Sequence, residues 1–134
     1  MEERHRGFAD ALAVHGITPK VVRSREFTIE AGHQVARDLR ELRPRIDSIF
    51  AGSDLLAMGV IRGLIDLGQR IPEDVSVIGY DDIAIGASFI PPLTTIHQNW
   101  TDGGRLLARK ALELVRGEAP ASEMLPTFLV ARGT

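Results

Sequence analysis

Two rhythms of apolar positions alternate along this chain. Over residues 2–15, Phe8, Leu12 and several alanines fall on one side at helical spacing, and Gly16 supplies a stop. Lys20 to Phe27 reads as a strand with Val21 and Val22 inside. Residues 29–42 return to the helical rhythm, with Val35, Leu39 and Leu42 on one face. Ile46 to Gly52 is a short strand, and Ser53 with Asp54 suits the start of a helix that buries Leu56, Val60, Ile61, Leu64 and Ile65 up to Gly68. Val75 to Gly79 is a continuous apolar run, the pattern of a strand covered on both faces. Leu93 to Gln98 forms another strand, Thr101 caps a helix reaching about Arg116, and "TFLVA" makes a final strand.

Short apolar strands alternating with helices predict an α/β fold: a parallel sheet in right-handed βαβ units with helices on both faces. Ligands of such sheets bind beyond the carboxyl ends of the strands. Phe27, Ser53, Asp81 and Gln98 all stand at or just past predicted strand ends, so four polar or aromatic side chains are expected along one rim. The pair Asp81-Asp82 suggests a division of labour, with Asp81 in the pocket and Asp82 satisfying loop amides. The first helix has no strand before it, and the helix at 101–116 is apolar over a broad arc. Both features suggest a fragment of a larger protein.

Composition narrows the chemistry. The 134 residues suffice for one domain with a real core, and 44% apolar with 25% charged residues is ordinary for a globular protein. The formal charge is −2 and the 16 lysines and arginines are scattered, so this segment has no basic stripe for gripping nucleic acid. Without cysteine there are no disulfides or thiolate metal sites, and the four histidines (His5, His15, His33, His97) show no metal-ligand spacing. No apolar run approaches a membrane span, and "MEERHRGF" is not a secretory leader. Phosphate-cradling glycine motifs are missing, and "AGSDL" is not the nucleophile elbow of an acyl hydrolase. A phospho-acceptor receiver domain would need a lysine after its last core strand; Lys20 and Lys110 are the only lysines and neither stands there. No enzyme activity, cofactor or metal is expected.

At this point the chain resembles the lactose-repressor (LacI/GalR) family of bacterial transcription regulators. "RHRGFADAL", "IFAGSDLLAMGVIRGL", "RIPEDVSVIGYDD" and "FIPPLTTIHQ" look like that family's motifs, in its order, over essentially the whole chain. The resemblance implies a periplasmic-binding-protein-like (type I) effector domain of two lobes. Residues 1–98 would be the second lobe, 99–118 a helix crossing toward the first lobe, and 119–134 the return; the DNA-binding headpiece would be absent. It implies a small-molecule effector, with a sugar the expected class. Arg4 would donate to effector hydroxyls or a carboxylate, Phe27 would stack on the ring, and Asp81 would accept from paired hydroxyls. Ser53 stands where many members carry Asn, and Gln98 would reach the ligand from the hinge region. Met58 and Phe89 would lie at a homodimer interface. Operator DNA would be a partner only through the headpiece, no membrane partner is implied, and the location would be cytoplasmic.

Taken without the resemblance, the same residues have plainer readings. Ser53 and Asp54 are most simply a helix cap, Asp81 and Asp82 turn residues, Arg4 a solvated helix residue and Phe27 core. An extracytoplasmic sugar-binding protein of a transporter would carry the same lobe; an upstream helix-turn-helix or signal peptide separates the two readings.

Overall fold

Two helices packed backbone to backbone set the frame of this computed structural model, which describes residues 2–134. They are α2 (Ile29–Glu41) and α3 (Asp54–Asp66). A methyl group added at Gly59 would overlap the Ile29 carbonyl oxygen, and one at Gly63 would overlap the Ala36 side chain. Only residues this small let the two helices approach so closely. Thr28 and Ser53 cap them, accepting from the amides of Ala31 and Leu56. Gly68, two residues past the end of α3, has a φ of 79° that lets Gln69 N return to Leu64 O.

The sheet has four strands in the order β1 (Ser48–Phe50), β2 (Ser76–Asp81), β3 (Thr94–Gln98) and β4 (Thr127–Val130). β1, β2 and β3 run parallel, while β4 returns antiparallel along the outer edge of β3. Side chains alternate between faces. On one face Phe50 and Tyr80 meet α1 (Glu2–Ala13), where Phe8 stacks on Phe50 at 5.1 Å. On the other, Val77, Gly79 and Thr95 lie against α3, around a core of Met58, Ile61, Leu64, Val77 and Leu93.

Among the described residues one ionisable side chain belongs to that core. Asp54 is 0% exposed. Its Oδ1 accepts from Thr95 Oγ1 at 2.5 Å and its Oδ2 from Ile83 N at 2.8 Å. The carboxylate occupies the space a side chain at position 79 would need, since a methyl on Gly79 would overlap Asp54 Oδ1. Thus one glycine in β2 admits the carboxylate that ties α3 to β3 and to the turn after β2.

Several expectations need correction. Lys20 to Phe27 is not a strand but an irregular segment. Part of it lines a cavity of about 520 Å³ that also touches Phe8, Val35, Leu39, Ile49 and Phe50. A strand needs a hydrogen-bonding partner, and the outer edge of β1 faces this space instead. The helix expected from Thr101 is α5 (Trp100–Val115), capped by Asn99, which accepts from Asp102 N. None of its residues is buried. Met58, expected at a dimer face, is 2% exposed inside this chain's own core, so its side chain has no surface left for a partner. Phe89, beyond the short α4 (Ala84–Ala87), is partly buried against the same core, beside exposed Ile85 and Ile90. Among the described residues no helix is long and apolar enough to cross a membrane.

Because its methyl group and the Asp54 carboxylate cannot share one space, Gly79→Ala is expected to lower folding stability by about 1–3 kcal/mol, the usual range for overpacking. Thermal unfolding of the intact protein reads this directly; an unchanged midpoint would mean that α3 shifts freely away from β2.

Candidate functional site

The three parallel strands end on one side of the molecule. Just past β1, Ser53 accepts the cap bond of α3 and is buried. This fits the plainer reading of that residue, and the cap takes one lone pair of the hydroxyl. The last residues of β2 and β3, Asp81 and Gln98, meet directly: Gln98 Nε2 donates to Asp81 Oδ1 at 2.9 Å. From the first turn of α1, Arg4 reaches the same rim. Its Nη1 donates to Gly52 O at 3.1 Å, and its guanidinium carbon lies 3.7 Å from the centre of the Tyr80 ring. Cation–π stacking of this kind holds a guanidinium flat while leaving other N–H groups free to donate.

Four of the five expected residues therefore share the rim: Arg4, Ser53, Asp81 and Gln98. Phe27 is not gathered with them by any aromatic pair or hydrogen bond among the described residues. It is 49% exposed, one residue before the α2 cap. Sequence reasoning missed Trp100, whose indole Nε1 donates to Asp81 O at 3.2 Å while the ring remains 62% exposed. A lone tryptophan two residues beyond a strand end, in "HQNW", was the available signal.

The two neighbouring carboxylates live in opposite environments. Burial pushes the Asp81 carboxyl above the ordinary carboxylate value; the Arg4 charge pulls it down, Asp54 pushes it up, and the Gln98 bond lowers it, with the net direction upward. Burial acts the same way on Asp82, but its bonds and charge attraction to Arg132 and His97 prevail and hold it below the ordinary value. Arg132 Nη2 donates to Asp82 Oδ1 at 2.7 Å, and His97 Nδ1 lies 2.7 Å from Oδ2. So Asp82 is committed to the protein, whereas Asp81 has one side-chain partner and a polar rim around it. The backbone here is unusual: φ is 123° at Asp81 and 55° at Asp82. Such left-handed values in residues with a side chain carry strain of order 1–3 kcal/mol each, although Asp tolerates them better than most. Among the described residues no three His, Asp or Glu side chains converge as a metal ion would need.

The arrangement offers a guanidinium, a carboxylate and an amide within one short arc, beside an exposed indole. Such a set can clamp hydroxyl groups and cover an apolar ring face. It has no activated nucleophile with an adjacent base.

Comparison with known proteins agrees with this picture. The periplasmic binding protein-like domain model matches residues 1–134. The ribose operon repressor of Halalkalibacterium halodurans is 37% identical over 99% of this chain, which spans 40% of the repressor's length. Among solved structures, a complex of the transcriptional regulator CelR with cellobiose superposes with a TM-score of 0.89 at 35% identity, covering 98% of this chain and 41% of that one. The lac repressor dimer bound to operator and the anti-inducer ONPF superposes with a TM-score of 0.88 at 30% identity, covering 98% and 46%.

The raised Asp81 pKa has a consequence for stability. An acid whose folded-state value lies above its unfolded value loses folding stability as pH rises through that interval. Ionised Asp81 therefore burdens the empty fold at neutral pH. Asp81→Asn retains an oxygen acceptor for Gln98 and tolerates left-handed backbone. Without ligand, it should unfold at an equal or higher temperature than the parent near neutral pH, with the difference closing toward about pH 4. A variant less stable at neutral pH than at acid pH, relative to the parent, would contradict this.

Proposed function

The chain belongs to the periplasmic binding protein-like family in the form carried by LacI-type transcription regulators, and from that premise we propose that it is one lobe of an effector-binding module whose effector is a sugar. The observation that carries the reading is the convergence of Arg4, Asp81, Gln98 and Trp100 at the carboxyl ends of β1, β2 and β3. A sugar presents adjacent hydroxyls at its edge and C–H groups on its faces. Asp81 suits a pair of hydroxyl donors, Arg4 and Gln98 suit the ring and hydroxyl oxygens, and the exposed face of Trp100 suits the C–H groups. The cellobiose bound to CelR supports a sugar as the class. The reading assigns binding, not bond-breaking, to these groups.

Regulation follows as part of the same proposal. α5 leaves the rim directly after Gln98 and carries exposed Leu107, Leu112, Leu114 and Val115. These residues would seat against a first lobe elsewhere in the polypeptide. Closure of two lobes on a sugar would then alter the spacing of DNA-binding headpieces in a homodimer, a hinge-type switch with reciprocal linkage between sugar and operator. Exposed Ile85 and Ile90 beside Phe89 are the apolar surface offered for that dimer. Operator contact would be made outside this chain, in the cytoplasm.

The test uses the intact protein. A thermal-shift panel of mono- and disaccharides that includes ribose and cellobiose should contain at least one sugar that raises the unfolding temperature. Calorimetric titration with that sugar should show Asp81→Ala binding about tenfold or more weakly, the result of losing a charged hydrogen bond worth about 2 kcal/mol. Unchanged affinity removes Asp81 from the site, and a panel without a single shift removes sugars as the class.

A further inference from the structure

Positive φ at two successive residues that carry side chains is costly, and it persists where the surrounding structure holds it. At Asp81 and Asp82 part of the restraint is the ladder to β3 and the Asp82 N to Thr95 Oγ1 bond at 3.4 Å, and part comes from the far end of the chain. Asp82 is gripped on both oxygens, by Arg132 Nη2 and His97 Nδ1, each at 2.7 Å. The Asp82 and Arg132 side chains are only 16% and 20% exposed, so the pair is shielded from competing water and salt. Arg132 is itself immobilised. Its Nη1 donates to Leu93 O at 2.8 Å and its backbone N to Thr94 Oγ1 at 3.0 Å. Two residues on, Thr134 Oγ1 donates to Val77 O and accepts from Thr94 N. His97 is braced by stacking on Phe128 at 4.7 Å.

One residue further along the turn, Ile83 N is held by Asp54 Oδ2. The peptide joining Asp81 to Asp82 donates its own N–H only at long range, to Thr95 Oγ1 at 3.4 Å, so the fixed Asp82 side chain and Ile83 amide add to its restraint. Its observed orientation directs Asp81 O toward Trp100 Nε1 and leaves the Asp81 carboxylate beside Gln98. Arg132 makes no hydrogen bond to Arg4, Asp81, Gln98 or Trp100 among the described residues. We propose that Arg132 is a positioning residue for the effector site, holding Asp82 so that Asp81 presents its carboxylate at the rim. The inference rests on the binding role proposed for Asp81, and it deepens that role.

Trp100 supplies a readout independent of any ligand, because its indole N–H is bonded to the carbonyl of the strained residue. In the intact protein labelled with ¹⁵N, the Trp100 indole resonance is assigned by its loss in Trp100→Phe. Arg132→Gln is expected to move that resonance toward the position of an unbonded indole and to speed its hydrogen exchange at least tenfold. It should also weaken cellobiose at least tenfold in calorimetric titration. Arg132→Lys, which retains one charged donor, should recover part of both changes. Ile61→Val, a core change remote from the rim, serves as the control for lost stability and should leave the resonance in place. The proposal is overturned if Arg132→Gln leaves the indole unmoved, or moves it no further than Ile61→Val does at equal loss of stability. If Arg132→Gln fails to fold, Asp82→Asn opens the same contact from the other side with a residue that tolerates left-handed backbone, and the same displacement is expected. A displaced indole in a protein whose parent form is stabilised by no sugar of the panel, ribose and cellobiose included, supports the Arg132–Asp81 linkage and counts against the sugar reading instead.

Discussion

The buried carboxylate of Asp54 is the interaction on which the rim depends. An ionisable side chain with no solvent exposure persists only where its oxygens have partners. Thr95 and Ile83 provide them, and Gly79 provides the space. Those three contacts lie on different elements. The same group therefore fixes the start of α3, the middle of β3 and the turn leaving β2. Hydrophobic packing alone would hold α3 against the sheet with some freedom to slide. Directed bonds to a buried acceptor remove that freedom, and the removal matters most at the carboxyl ends of the strands.

From that anchor the rim divides into committed and available groups. Asp82 spends both oxygens on the protein, on Arg132 and His97, while Ser53 Oγ accepts the cap bond of α3. Asp81 keeps a carboxylate in a partly desolvated place, with its pKa raised chiefly by burial. Adjacent residues of one type thus acquire opposite protonation tendencies from their surroundings. A charge held at the expense of stability is the condition in which a binding group gains most from an incoming donor. The strained backbone at the same two residues belongs to the same pattern, in which local stability is given up where recognition takes place.

The periphery differs in character. α1 touches the sheet through Phe8 and Arg4, and α5 buries none of its residues. The cavity beside β1 is lined by apolar and polar residues together, and α5 exposes Leu107, Leu112 and Leu114. The chain spans 40% of the length of the ribose operon repressor that it matches. The exposed leucines of α5 are the surface on which the proposed packing against a first lobe rests.

Much of this was legible from local pattern. Helices from Glu2, Ile29 and Asp54, a strand within Ile46 to Gly52, one at Val75 to Gly79 that the structure carries on to Asp81, one ending at Gln98, the cap at Ser53 and the stop at Gly68 all follow from periodicity and turn chemistry, because each depends on residues within one or two turns of each other. The rim positions of Asp81 and Gln98 followed as well, since strand ends in a parallel sheet share one side. Other features had no local cause. Val21 and Val22 have strand-like composition, yet whether they pair depends on what lies across from them. Met58 sits in a motif-bearing helix, and only the packing of α3 decides that it faces inward. Trp100 and Arg132 acquire their roles through contacts 19 and 50 residues away in sequence. Spacing along the chain determines which elements form; which side chain is free to bind and which is consumed holding its neighbour is decided only when distant segments compete for the same hydrogen-bond partners.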